Sequence, residues 1–451
     1  MAVIGAGVSG LSFVRRLLVR VLHSPEVVSA EGLEIDVFDK SRGIGGRCAT
    51  RRQTISASSA SSVGSVAGED RQDPLSLEVT FDHGAQYFTA DSPQFQEFVE
   101  ATRAQGQIEE WRAVIHVLDV LQGVSSLSPS SPEGGSNPRK RWVATPGQSQ
   151  LAKSLWTECL RLSATTNVPI RLHTNRQIHT LDPSTPSERL KDGETRQEEG
   201  SPSWRLLGSD QTSLHDALFD QIVVAVPPSQ AIDMLQTCVN QEARIASLGL
   251  EASKEIGDAT KRIKDEASMM PSWALMLALD RPLSQVPFDG AFVHNSQSIS
   301  WVAKNSRKPQ RIPSGSSSSS SSALSSLPRS DRTEGVETWV VHSTAAWAKE
   351  NLEITPEEAK ARLLADFDDQ ITAAFGAKMG DAYKVLSATA HRWRFAINEK
   401  TLSETHLLLP LSRIALCGDF CGPRVEGAFL SGFHLASSLP LGAAHRPSAS
   451  L

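Results

Sequence analysis

Apolar positions recur along this chain at two spacings, and the two alternate from the amino terminus onward. Ala2–Ile4 is a short continuous apolar run that predicts a buried strand, and Leu11, Val14, Leu18 and Val21 recur at helical spacing over Leu11–Leu22. Glu34–Phe38 and Leu77–Phe81 predict further strands, and Ser92–Gln105 a helix. Arg141–Ala144 precedes a helical pattern from Ser149 to Leu162. Strands are then expected at Ile170–His173, Ile178–Leu181, Trp204–Leu207 and Gln221–Val226. Trp273–Asp280, Ser300–Ala303 and Thr338–Ser343 read as strands of a second sheet, followed by a helix at Pro356–Ala374 with Ala359, Leu363 and Phe367 on one face. Strand Arg413–Cys417 and helix Gly427–Leu439 close the pattern. Strands alternating with helices predict an α/β (α+β) protein, a parallel nucleotide-binding sheet joined to a second, mainly antiparallel sheet.

Four serine-rich segments interrupt this pattern, at 56–73, 123–138, 183–203 and 306–335. Side chains of that composition bury too little apolar surface to offset the entropy of ordering a chain, so disordered inserts are expected there. Between them the chain divides into a discontinuous nucleotide-binding domain (1–85, 143–230 and 405–451) and a substrate domain (86–142 and 231–404).

At 451 residues the chain is long enough for two packed domains. A formal net charge of −6 argues against a nucleic-acid partner or an anionic membrane surface held by bulk charge. The longest apolar runs, Ile222–Val226 and Trp273–Leu279, are far short of a membrane span. Five cysteines in a chain of this length, Cys48, Cys159, Cys238, Cys417 and Cys421, with no zinc-type pair, point to a reducing compartment. The first strand begins at residue 2, so the expectation is a cytoplasmic protein as the chain stands, or an organellar one if an upstream exon is missing.

Gly5-Ala-Gly7-Val-Ser-Gly10 lies between the first strand and the first helix, where a dinucleotide fingerprint has to lie. Gly5 permits the tight turn, Gly7 lets the backbone approach a pyrophosphate, and Gly10 lets helix and strand pack closely. The helix N-terminus offers N–H groups and partial positive charge to phosphates. The second strand runs into Asp39, whose carboxylate suits a ribose hydroxyl, although 23–32 lengthens the usual connection. Next comes Arg42-Gly-Ile-Gly45-Gly46-Arg47, in which paired glycines followed by arginine place a guanidinium beside a pyrophosphate. At the far end a strand reaches Gly418-Asp419, and a helix start near Glu426-Gly427-Ala428 is placed to aim its N-terminus at a flavin's pyrimidine edge.

Five ordered motifs then carry a family resemblance. Phe81-Asp-His-Gly-Ala-Gln-Tyr-Phe-Thr-Ala90, Trp142–Gly147, Trp301–Pro309, His391-Arg-Trp-Arg394 and Gly418–Ala428 together resemble the renalase-like FAD-dependent oxidoreductases, in the branch found in bacteria and photosynthetic eukaryotes. The resemblance spans the chain outside the serine-rich segments and implies the amine-oxidase type of fold, with noncovalent FAD. It implies FAD contacts from Gly5, Gly7, Gly10, Asp39, Lys40, Arg47, Asp419 and the Glu426–Ala428 turn, with the backbone at Ile178 reading the adenine. Gln86 and Tyr87 would cross towards the flavin ring, and Trp301, Asn305, Arg392 and Trp393 would line the substrate cavity. The implied reaction is hydride transfer to flavin N5 from an isomeric dihydro-NAD(P), with electrons passing to dioxygen or another acceptor. A plain alternative makes Trp301 and Trp393 core residues of the second sheet.

Two features separate this chain from ordinary amine oxidases. No cysteine lies in a Ser-Gly-Gly-Cys-Tyr context, and Tyr87 and Tyr383 are the only tyrosines, so a two-tyrosine cage is hard to build. An amine donor would benefit from a base, for which His83 is a candidate, although a strand-end histidine is the plainer reading. A dihydropyridine donor needs none, since aromatisation drives hydride loss. No Ser/His/Asp set, HExxH or paired carboxylates appear, so hydrolytic and metal chemistry are set aside. Two alternatives stay open: amine oxidation, and an FAD-binding protein with a scaffold or redox-sensing role.

Overall fold

A computed structural model describes residues 1–23, 32–56, 76–121, 126–129, 139–184, 202–215, 217–311, 314–315 and 335–440. Most of the four serine-rich segments lies outside the described residues, and with it the expectation of disorder.

The first sheet orders its strands Leu407–Leu409, Ile414–Leu416, Ile222–Val224, Ala2–Ile4, Ile35–Phe38 and Ile170–His173, all parallel except the Leu407–Leu409 edge. The central strands are only three or four residues long and wholly buried, as strands covered on both faces must be. One face carries helices Val8–His23, Ser149–Thr166 and Arg424–Ser438 around Phe13, Leu17, Leu155 and Phe429. The other carries the hairpin Thr180–Ser184/Ser203–Leu207 with helices Pro228–Val239 and Leu250–Glu266.

A seven-stranded, mostly antiparallel sheet forms the second layer system, ordered Val385–Lys400, Ser268–Leu279, Glu337–Ser343, Ile299–Lys304, Gly290–His294, Ile115–Asp119 and Ser126–Pro129. Strand alternation makes Ser268–Leu279 two-faced. Leu275, Leu277 and Leu279 pack under helix Pro356–Phe375, whereas Met276 and Ala278 meet Val79 and Phe81 of the strand Ser76–Asp82. That second contact joins the sheet to the nucleotide-binding half.

Sequence patterning missed the longest strand, Val385–Lys400. It is an edge strand, half-exposed along most of its length, so it shows no apolar run. Helix Leu250–Glu266 was missed because Ala252, Ala259 and Thr260 make up much of its buried stripe. The carboxy-terminal helix starts at Arg424 rather than Gly427. Insert boundaries are corrected: Ser126–Pro129 is the edge strand of the second sheet, Pro183, Ser184 and Ser203 belong to a paired hairpin, and Ser306–Arg311, read from the sequence as part of a serine-rich segment, continues the fold. Asn305–Arg307 forms a 3-10 turn, and Lys308 and Arg311 are each only 2% exposed. No described helix is long and apolar enough to cross a membrane.

Candidate functional site

The glycine fingerprint separates into positions closed by protein and positions open to something else. A Cβ on Gly5 would lie 2.3 Å from the Ala225 carbonyl oxygen, and one on Gly10 would lie 2.1 Å from the Gly5 carbonyl oxygen. Strand and helix packing alone therefore require those two glycines. At Gly7 a Cβ would meet nothing within 4 Å, immediately before the helix that starts at Val8. Gly46, at φ +54°, turns the Gly45–Arg47 loop over Gly7, and a Cβ there would come within 4.0 Å of the Gly7 Cα. An open glycine at a helix N-terminus, beneath a second glycine turn, is the cradle a pyrophosphate needs.

Asp39 organises the same turn. One carboxylate oxygen accepts from the Ala6 N–H at 2.9 Å and the other from the Ser41 N–H at 2.8 Å, while Lys40 is exposed beside it. Ile178 is buried in the second core with Phe38 and Trp204. Arg47 and Asp419, expected on the cofactor separately, are paired with each other by two bonds of 2.6 and 2.7 Å. This bidentate pair ties the glycine turn to the end of strand Ile414–Leu416. Glu426 departs from expectation: its carboxylate accepts from the N–H groups of Asp91 and Ser92, so it anchors the start of helix Pro93–Ala104. Gly427 is required by crowding, since its Cβ would stand 2.1 Å from the Gly422 carbonyl, and Ala428 packs against the first core.

The segment Asp82–Phe88 connects this cradle to the second sheet. Gly84 rests so close to Arg47 that a Cβ would lie 2.0 Å from the Arg47 carbonyl oxygen, which also accepts from the Ala85 N–H at 2.9 Å. The next contact is on the sheet itself. The His83 carbonyl accepts from Trp393 Nε1 at 2.9 Å and faces His342 Nε2 at 3.2 Å. Register places His391, Ala274, His342, Trp301 and Phe292 side by side across five strands, on the face turned towards this segment. Tyr87 leans between Trp111 and Trp301 at ring distances of 6.0 and 6.1 Å. The indole nitrogens of Trp111 and Trp301 are buried with no hydrogen-bond partner among the described residues.

Two sequence expectations are corrected here. Arg392 and Trp393 do not act together, because successive strand residues point to opposite faces. Trp393 joins His83 and His391, whereas Arg392 lies over Trp273, its guanidinium on the Leu352 carbonyl and the Glu353 carboxylate. Asn305 does not line the aromatic face either. It is fully buried, donating to the Thr80 carbonyl at 2.8 Å and accepting from the Asp82 N–H at 3.2 Å.

Sequence reading missed the most charged part of the site. Asp82 is fully buried and accepts from Arg311 at 2.8 and 3.1 Å, Thr50 at 2.8 Å and the Gln148 N–H at 2.9 Å, with Lys308 Nζ at 3.4 Å. Burial alone would raise its pKa, but Lys308 and Arg311, with the hydrogen bonds from Gln148 and Thr50, together outweigh that and hold it below the usual carboxylate range. Lys308, also bonded to Gln86 Oε1 at 3.1 Å, is lowered by burial to about 8 despite Asp82. Gln86 donates to the carbonyls of Asp82 and Gly84 and reaches towards His342. Burial lowers both His83 and His342 to about 4, so both rings are neutral at neutral pH. The only sequence signal for this hub was a lysine, a proline and an arginine following a strand, which does not announce burial.

Comparison with known proteins places this geometry in a class. Residues 3–102 match the model of the NAD(P)-binding Rossmann-like domain. An oxidoreductase from Methanosarcina mazei superposes with a TM-score of 0.54 at 14% identity, covering 97% of this chain and 99% of that one. A candidate protoporphyrinogen oxidase from Exiguobacterium sp. gives 0.54 at 10% identity, covering 98% of each. At such identities the likeness is one of fold. The shared fold is a Rossmann-like parallel sheet with a second, mainly antiparallel sheet.

Proposed function

We propose that this protein is an FAD-dependent oxidoreductase that takes hydride from a small dihydropyridine-type donor, in the manner of the renalase-like enzymes, and passes the electrons to dioxygen or another acceptor. The observation that carries the reading is the continuous path from the open Gly7 cradle, through Gly46, Arg47 and Gly84, to the row His391, His342 and Trp301. Gly7, Gly46 and the first helix N-terminus would hold the pyrophosphate, and Asp39 the adenosine ribose. Bound there, the flavin supplies a two-electron acceptor at N5.

The chain's own residues set the donor's environment. Trp393 and His342 fix the His83 carbonyl, and hence the turn against Arg47. Trp111 and Trp301, whose buried indole N–H groups have no partner among the described residues, would form an aromatic wall with Tyr87, and Lys308 lies over the Trp111 ring. His83 and His342, neutral and held by burial, do not favour a cationic amine and are poor bases at pH 7. Tyr383 is 1% exposed and bonded to Asp368, away from Tyr87, so no pair of tyrosines can enclose an amine. All five cysteines are buried, and burial pushes Cys48 and Cys417 up to about 12, which supports noncovalent cofactor binding. The test is anaerobic reduction of the purified holoprotein by dihydronicotinamide isomers and by primary amines. Reduction by the former alone supports the proposal, and reduction only by amines rejects it.

A further inference from the structure

A second polar cluster lies on the opposite face of the nucleotide-binding sheet, next to Asp39, whose N–H donates to the His173 carbonyl at 2.9 Å. Asp36, in the middle of strand Ile35–Phe38, points into the core face occupied by Phe38 and is 3% exposed. His173, at the end of the neighbouring parallel strand, places Nε2 2.7 Å from Asp36 Oδ1. His215, from the connection after strand Ser203–Leu207, places its Nε2 3.8 Å from the same oxygen. The three candidate ligand atoms lie within 4.8 Å of one another.

The geometry points to a divalent transition-metal site, of the zinc type, held by Asp36, His173 and His215. Two imidazole nitrogens and one carboxylate oxygen are the donors that a borderline-soft ion prefers, and three protein ligands leave a position for water. Both imidazoles face one carboxylate oxygen, His173 at hydrogen-bond distance and His215 beyond it at 3.8 Å, a separation that leaves room for an ion. The surroundings orient the set. Arg171 Nη1 lies 3.2 Å from Asp36 Oδ2, against 3.5 Å from Oδ1, which leaves Oδ1 turned towards the imidazoles. Phe38 stacks on His173 at 4.7 Å and meets His215 edge-on at 5.8 Å, and Phe219 packs on His215 at 5.2 Å. These contacts fix the ring planes, and His215 Nδ1 accepts from the Ala217 N–H at 3.2 Å, a bond that would be given up when Nε2 binds a metal. The histidine side chains are 26% and 23% exposed, so solvent reaches the ligands. Arg171 adds an opposing positive charge, which the carboxylates of Asp36 and Glu34 share. An ion here would pin His215, and with it the connection after strand Ser203–Leu207, to the sheet.

The test uses the full chain, stripped with a chelator and titrated with Zn²⁺ in competition with a chromophoric chelator. One Zn²⁺ per chain is expected, with affinity at least about tenfold weaker in both His173→Gln and His215→Gln. Unchanged affinity in the variants, or no saturable binding by the wild type, overturns the site. Co²⁺ added to the wild type gives a check that needs no variant to fold. Intense visible bands of a four- or five-coordinate ion are expected, and the weak spectrum of the hydrated ion would contradict the assignment.

Discussion

Replacing Asp82 with Asn should destabilise this protein far more than any other single charge removal. The carboxylate sits at 0% exposure between Lys308 and Arg311, both nearly as buried, so one negative charge already faces two positive ones. Asparagine keeps an acceptor for Thr50 and Gln148, but turns an N–H₂ towards two cationic donors. Removing one partner of a buried pair typically costs roughly 3–5 kcal/mol, because the remaining charge is left uncompensated. Lys308→Met, by contrast, leaves a neutral Asp82–Arg311 pair and a side chain of similar length, at a cost under about 2 kcal/mol. In Asp82→Asn/Lys308→Met only one unmatched cation remains, so the double variant should lose at least about 1 kcal/mol less than the sum of the singles. The assay is urea unfolding of all four proteins, followed by tryptophan fluorescence. A loss below about 1 kcal/mol in Asp82→Asn, or strict additivity in the cycle, would show that the hub is hydrated and would refute this reasoning.

Other expectations follow from the same coordinates. Arg47→Ala removes the bidentate tie to Asp419 and should weaken flavin retention by about 1.5–3 kcal/mol, read as FAD lost on dialysis; full retention would detach Arg47 from the cofactor site. Arg392→Ala should slow flavin reduction by a phosphorylated dihydropyridine and by its dephosphorylated analogue by the same factor, because the guanidinium sits on Glu353 behind the sheet; a selective loss for the phosphorylated donor, in stopped-flow, would put it back in the cavity. His83 and His342 titrate near 4 when folded and near 6.5 when unfolded, so the unfolded chain takes up protons first as pH falls. Their contribution is therefore complete above about pH 6.5 and is lost towards pH 4, with His83 alone worth about 3 kcal/mol there. Thermal melting across that range should show a falling midpoint that His83→Gln flattens.

The nucleotide half was legible because its constraints are local. Gly5, Gly7, Gly10 and Asp39 lie close together in sequence, and each does at the backbone what its residue type allows. The second half depends on register between distant strands. His342 stands beside Trp301 and opposite Ala274 only after three strands have paired, and no spacing in the chain announces it. Arg392 and Trp393 were grouped because they are adjacent in sequence, which in a strand is the reason they separate. Lys308 and Arg311 read as the edge of a polar insert because composition does not reveal that Asp82, more than 220 residues earlier, lies beneath them. Asp36, His173 and His215 are likewise brought together only by sheet order and one connection.

The most direct test of the account is the spectrum of the purified protein under anaerobic conditions. The account predicts a yellow protein that releases about one FAD per chain on denaturation and bleaches when an isomeric dihydronicotinamide is added, with colour returning on admission of air. A colourless protein that takes up no FAD, or bound FAD that no dihydropyridine reduces, would contradict it.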